Sequence, residues 1–269
     1  MRATIWGCRG SLATPGPSTV RYGGNTTSVE LRTAADGLLI LDAGTGIRSL
    51  GIALAGEHPS QIHLLLTHMH LDHVEGLGFF PALFDPDCEI TIWGPWQNGV
   101  SLRDRISAYL SPPWFPLKFE QLPSRIEFVE IWEDSWEMDG VRITTAPVRH
   151  PGPTVGYRIE EDGVAFAFIP DNEPALERES GLSIAAGADV LFHDAQYTGE
   201  EYTTRVGWGH TSLQDLAVFL ADAAPGRMVM FHHDPSHSDA TLEEMQTVGQ
   251  ELAERELELA HEGLQIALG

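Results

Sequence analysis

The chain has 269 residues, 42% apolar and 20% charged, which excludes a disordered chain and a membrane protein and is enough to bury a sizeable core. Asp and Glu outnumber Lys and Arg by 39 to 16, and a net charge of −23 repels polyphosphate backbones unless a local basic patch or a bound metal reverses the field. Long nucleic acids are therefore disfavoured as partners.

Short apolar runs rich in β-branched residues alternate with helical stretches, with no internal repeat, and this predicts one α/β domain over residues 1–269. Strands are expected at 3–6, 27–33 and 38–41, with Gly23-Gly24-Asn25 as a turn, followed by a helix at 46–55 and a strand at 62–66. Five further strands are expected at 89–93, 125–131, 141–146, 155–159 and 164–169. Helices are expected at 174–186, 212–223 and 241–258, separated by strands at 190–192 and 228–231, and 264–268 reads as a last strand.

Residues 94–123 break this rhythm, with Pro95, Pro112, Pro113, Pro116 and Pro123 interleaved with Trp96, Tyr109, Trp114, Phe115 and Phe119. Counting Trp93, six aromatic side chains are costly to expose, so the excursion is expected to border a pocket or to form a contact in a homo-oligomer. The only cysteines, Cys8 and Cys88, are too few for a disulfide framework and suit a reducing cytoplasm. No export signal is read before Cys8, and no run reaches the roughly 18 apolar residues of a membrane span.

The informative feature is the residue at which each apolar run stops. Leu64-Leu65-Leu66-Thr67 runs into His68, the 141–146 strand leads to His150, and Phe166 to Pro170 ends at Asp171. Val190-Leu191-Phe192 stops at His193-Asp194, Val229-Met230-Phe231 at His232-His233, and 38–41 at Asp42. In an α/β sheet ligands bind beyond the strand ends, so these side chains form one candidate site although they are distant in sequence.

Its centre is His68-Met69-His70-Leu71-Asp72-His73. Alternate side chains of an extended segment point the same way, so His68 and His70 can hold one cation while Asp72 and His73, at the bend into a helix, face a second. Neutral imidazole and carboxylate suit zinc, manganese or iron better than calcium. His58, His63 and His261 read as ordinary residues, and His237 as a loop residue near the rim. His232 and His233 cannot both follow their strand inward, because successive side chains alternate.

Thr67 to His73 matches the HxHxDH motif and resembles the metallo-β-lactamase superfamily, with a resemblance that runs from Leu41-Asp42-Ala43-Gly44 to Phe231-His232. It implies a four-layer αβ/βα sandwich and a site for two divalent metal ions, zinc first among them. Carried over residue by residue, His68, His70 and His150 hold the first metal, Asp72, His73 and His232 hold the second, and Asp171 bridges them. The family pattern favours His232 over His233, and Asp42 resembles a buried acid that orients a ligand histidine.

Phe192-His193-Asp194-Ala195-Gln196-Tyr197 followed by Gly207-Trp208-Gly209-His210-Thr211-Ser212 resembles the phosphodiesterase branch, which includes cyclic-phosphate phosphodiesterases and tRNA 3′-processing endonucleases. There an acid pairs with a later histidine, here Asp194 and His210, which can protonate an alkoxide leaving group. With Asp72 they form the expected catalytic set. The segments Trp6 to Ser11 and Tyr22 to Thr27 also resemble that branch, in which such loops lie beside the pocket. Asp194 stands where the tRNA-processing enzymes have glutamate, no Gly- and Lys-rich arm is present, and Lys118 is the only lysine. The expected substrate is therefore a small or cyclic phosphodiester; the alternatives are hydrolysis of a thioester, lactone or β-lactam, or RNA processing. Arg149, beside His150, is expected to form a surface ion pair rather than a phosphate clamp.

Overall fold

In a computed structural model, which describes residues 1–96 and 99–269, the apolar runs pair into two seven-stranded sheets. In chain order the first part gives β1 (Arg2–Gly7), β2 (Ser28–Arg32), β3 (Leu38–Leu41), α1 (Gly46–Leu54), β4 (Gln61–Leu65), the one-turn α2 (Leu71–Val74), β5 (Glu89–Pro95), α3 (Leu102–Tyr109) and β6 (Arg125–Ile131). Then follow β7 (Ser135–Met138), β8 (Val141–Pro147), β9 (Val155–Glu161), β10 (Val164–Ile169), α4 (Leu182–Ala185), β11 (Val190–Asp194) and α5 (Gly199–Tyr202). The chain closes with α6 (Leu213–Ala223), β12 (Arg227–Phe231), α7 (Asp239–Ala253), β13 (Glu258–Leu259) and β14 (Gln265–Ala267), which returns to pair antiparallel with β1.

The sheet orders are β14-β1-β2-β3-β4-β5-β6 and β13-β12-β11-β10-β9-β8-β7. Strands β3 to β6 are mutually parallel, as are β10 to β13. The period of two along each strand sorts its side chains between two cores. Leu39 and Leu41 face the opposite sheet and pack with Phe166, Phe168 and Phe192, while Leu38 and Ile40 join Ile47 and Leu50 of α1. On the other sheet Ala165, Ala167 and Ile169 turn outward to Leu216 and Leu220 of α6. Strands covered on both faces need unbroken apolar runs, which is why the sequence shows them. The result is a four-layer αβ/βα sandwich. Among the described residues, no helix is long and apolar enough to cross a membrane.

The segment predicted as a helix at 174–186 is helical only over Leu182–Ala185. Gly181 sits at φ 75°, and Asn172 and Ser180 bond to each other and to the backbone of Arg149, so the run is pinned by tertiary contacts. The helix predicted at 241–258 instead spans Asp239–Ala253: Glu254 takes a left-handed turn (φ 49°), and Leu259, buried beside Met230, belongs to an edge strand. Strand β7 and helices α3 and α5 were not expected.

Gln97 and Asn98 of the 94–123 excursion lie outside the described residues. The rest packs largely on the outer face of the first sheet, with Leu102, Ile106, Leu110 and Phe119 buried there. The Tyr109 hydroxyl donates to the Glu75 carbonyl at 2.9 Å, and Phe115 meets Phe79 edge-on. The excursion thus lies against the segment that follows α2, leaving Trp114 79% exposed.

Candidate metal centre

Parallel strands end together, and here β3, β4, β10, β11 and β12 deliver their last residues to one rim. Register aligns Ile169 with His193 and Asp194 with Phe231, so the residues that follow emerge side by side. The two sheets are tied at this rim: Val155 N–H donates to the Thr67 carbonyl at 3.0 Å, and the Tyr157 hydroxyl to that of Leu66 at 2.7 Å.

All seven residues expected as ligands converge there. His68, His70 and His150 bring their ligand atoms within 4.8 Å of one another, as do Asp72, His73 and His232. Asp171 lies between the two trios, 3.1 Å from His73 Nε2, 3.4 Å from His232 Nε2 and 3.8 Å from His150 Nε2. All but His70 are buried. His232 occupies the left-handed region (φ 59°), turning its ring to the site, while His233 points away and donates to the Ala260 carbonyl at 2.9 Å.

Four imidazoles are held in one tautomer by four different acceptors. His73 Nδ1–H donates to Asp42 (2.8 Å), His232 to the Gln196 amide oxygen (2.8 Å), His150 to the Gly209 carbonyl (2.9 Å) and His68 to the Thr67 hydroxyl (3.0 Å). The Thr67 hydroxyl in turn donates to Asp42 (2.9 Å). Each ring is left presenting its Nε2 lone pair inward. Two such lone pairs, on His73 and His232, stand 3.3 Å apart, while His150 Nε2 is 3.0 Å from His70 Nδ1. His68 Nε2 and one Asp171 oxygen are buried without any hydrogen-bond partner. Converging acceptors and orphaned buried atoms fit a cation-binding centre, because leaving them unpaired costs about 1–3 kcal/mol each.

The electrostatics divide the histidines: burial alone would lower His73, but Asp171, Asp72 and Asp42 around it raise its imidazole well above the usual value, so a cation there would displace a proton. Burial pushes the His150 imidazole down to about 4 and holds His68 well below its usual value, so both are neutral rings of the kind that ligate metal. Burial opposes the Asp171 charge, but His232 and His73 outweigh it and hold its carboxyl well below the usual range.

His210 stands beside this cluster, with its ring 5.2 Å from that of His150. Its Nδ1 lies 2.7 Å from Asp194 Oδ2, and Asp194 is fully buried, accepting also from the Gln196 and Thr211 amides. Burial alone would lower the His210 pKa; Asp194, helped by Asp171 and Asp72, reverses this and raises it. His210 is thus suited to carry a proton where His68 and His150 are not.

Other expectations fare unevenly. His63 is buried beside Asp139 and Trp93, away from the site. His237, expected at the rim, is buried and paired with Glu201 at 2.9 Å. The Arg149 side chain is exposed and forms no ion pair among the described residues, contrary to expectation. The Ser11 amide donates to Asp72 at 2.7 Å, and a side chain at Gly10 would strike the His232 ring, so the first loop does lie beside the pocket. Sequence reasoning missed Thr67, Gln196 and Gly209 as orienting groups; their only signal was adjacency to a ligand or a strand end.

A protein-family model described as "Beta-lactamase superfamily domain" matches residues 39–233. A ribonuclease Z of Mycobacterium sp. (strain KMS) is 27% identical over 239 residues, spanning 82% of this chain and 78% of that protein. Among solved structures, the short form of human tRNase Z aligns with a TM-score of 0.72 at 19% identity, covering 100% of both chains. A diphosphatase from the PhnP family aligns with a TM-score of 0.71 at 17% identity, covering 99% of this chain and 97% of that one.

Proposed function

The chain belongs to the β-lactamase superfamily, and from that premise we propose that it is a dinuclear-metal hydrolase cleaving a small or cyclic phosphodiester. His68, His70 and His150 would hold one cation, Asp72, His73 and His232 the other, with Asp171 between them. Two divalent cations there would acidify a shared water and neutralise the phosphoryl oxygens. Imidazole and carboxylate donors make zinc our first assignment, with manganese or iron as alternatives.

The observation that carries the reaction type is the Asp194–His210 pair, 2.7 Å apart; His210 could also group with His150 and Asp171 or with Asp194 and His232 around an ion, but neither of the two trios needs it. Asp194 fixes the Nδ1–H, so Nε2 is the position from which His210 gives its proton to the departing alkoxide oxygen. Asp72, held by the Ser11 amide, would keep its ligand role at the second cation in a fixed geometry. Hydrolysis of a thioester, whose thiolate departs without a proton, would leave His210 with no acid role. The buried, unpaired thiols of Cys8 and Cys88 support a reducing cytoplasm as the location.

Similarity to ribonuclease Z favours RNA processing as a second reading. Against it, a net charge of −23 and a single lysine offer little to the many phosphates of a long RNA. The deciding experiment is turnover by metal-analysed protein on a cyclic phosphodiester, aryl and alkyl phosphodiesters, a precursor tRNA, a thioester and a β-lactam. Cleavage of the small phosphodiesters alone is expected; preference for the thioester, lactam or tRNA would replace this reading.

A further inference from the structure

Glu173 lies two residues beyond Asp171, is 1% exposed, and plays no part in either ligand trio. Its carboxylate is the meeting point of three donors from the end of α5 and the loop after it: the Tyr202 hydroxyl at 2.8 Å, the Gly207 amide at 2.6 Å and the Gly209 amide at 2.8 Å. Its own amide donates to the Arg149 carbonyl at 2.8 Å, next to His150. The Thr211 hydroxyl adds a bond to the Asn172 carbonyl at 2.6 Å. The backbone around the bridging aspartate is therefore stitched to the segment that carries His210.

Apart from its own turn bonds, the Gly209 carbonyl on His150 and Arg205 over the Tyr197 ring, that loop is held by polar contacts and not by a core. No residue from 203 to 208 is buried, and Val206 and Trp208 are 54% and 59% exposed. Gly207 and Gly209 both take positive φ (87° and 91°), and a side chain at Gly209 would collide with the His150 ring. A loop with few buried apolar contacts opens easily unless polar anchors close it. The ionised carboxylate accepts only, and three donors match it; a glutamine amide would set N–H against N–H on one side.

We infer that Glu173 is a positioning residue for the acid step: by clamping residues 202–209 it fixes His210 against Asp194 and the metal centre. The inference rests on the phosphodiesterase reading. Misplacing a reacting group by about 1 Å costs on the order of a hundredfold. The same loop also carries the Gly209 carbonyl that orients His150, so a Glu173 variant that keeps both metals and loses only the acid step is what separates positioning of His210 from support of the ligand.

The test compares Glu173→Gln, Tyr202→Phe, His210→Ala and the double variant Glu173→Gln/His210→Ala on alkyl and aryl phosphodiesters, with metal content and thermal unfolding measured alongside. Glu173→Gln is expected to lower kcat on the alkyl ester by roughly ten- to a hundredfold with KM little changed and two metals retained, and to spare the aryl ester. Tyr202→Phe, which removes one of the three donors, should show the same selectivity at smaller size and serves if the glutamine variant does not fold. The double variant should be no slower than His210→Ala alone, as expected of residues acting as a unit. Equal losses on both esters, multiplicative losses in the double variant, or loss of a metal would overturn the inference while leaving the phosphodiesterase reading in place. If His210→Ala itself fails to discriminate the esters, that reading falls and takes this one with it.

Discussion

The two flanks of the metal centre are assembled differently. His68, His70, Asp72 and His73 come from one stretch of six residues, in which a strand end passes into the first turn of α2. His150, Asp171, Asp194, His210 and His232 come from five separate segments of the second sheet. On the first flank the local backbone sets the spacing, and two orienting groups, Thr67 and Asp42, are bonded to each other. On the second, each side chain depends on a partner from another segment: Gly209 for His150, Gln196 for His232, Asp194 for His210. On the proposed reading the contiguous flank would supply metal ligands alone, while the composite flank would combine ligands with a proton donor. Perturbing them should give different kinetic signatures.

The largest effect is expected on the contiguous flank. His68→Ala removes an imidazole whose buried Nε2 has no hydrogen-bond partner, and should leave fewer than two metals per chain and turnover at background for every leaving group. Metal analysis with parallel alkyl and aryl assays checks this; two ions and substantial activity in the variant would refute the ligand assignment. On the composite flank, His210→Ala should keep both metals and slow alkyl phosphodiesters by roughly a hundred- to ten-thousandfold, with much smaller losses for aryl esters. Equal losses would deny His210 its role as an acid.

A finer contrast lies between two orienting groups of the same trio. Asp42→Asn should weaken metal binding by about 10- to 100-fold, measured by chelator competition, because Asp42 serves His73 directly and His68 through Thr67. Gln196→Leu disturbs His232 alone and should fall at the weak end of that range or below it. The reverse order would mean that the composite flank carries more of the metal affinity. The smallest effect is expected from Trp114→Ala, since the side chain is 79% exposed: stability within about 0.5 kcal/mol and unchanged turnover. A larger loss, read from thermal unfolding and size-exclusion elution, would mean that the 94–123 face is covered in solution.

The sequence by itself determined the parts that local rules govern. Unbroken apolar runs predicted most of the strands that form both sheets, β7 and β13 excepted, because a doubly covered strand must be apolar on both faces. The contiguous half of the site could be read as soon as His68, His70, Asp72 and His73 were seen at their spacing, and Asp171, Asp194 and His232 stood out where apolar runs stop. Only the tertiary structure decided the rest. Whether 174–186 is a helix depended on Asn172 and Ser180 finding partners elsewhere, and whether Leu259 lay on a helix or a strand depended on the edge that β12 offered. That Gln196 accepts from His232, and that Glu173 gathers three donors, follow from loops brought together by the second sheet and the elements around it. Such pairings leave no periodic trace, because a hydrogen bond needs its partner within about 3 Å in space and sets no constraint on separation along the chain.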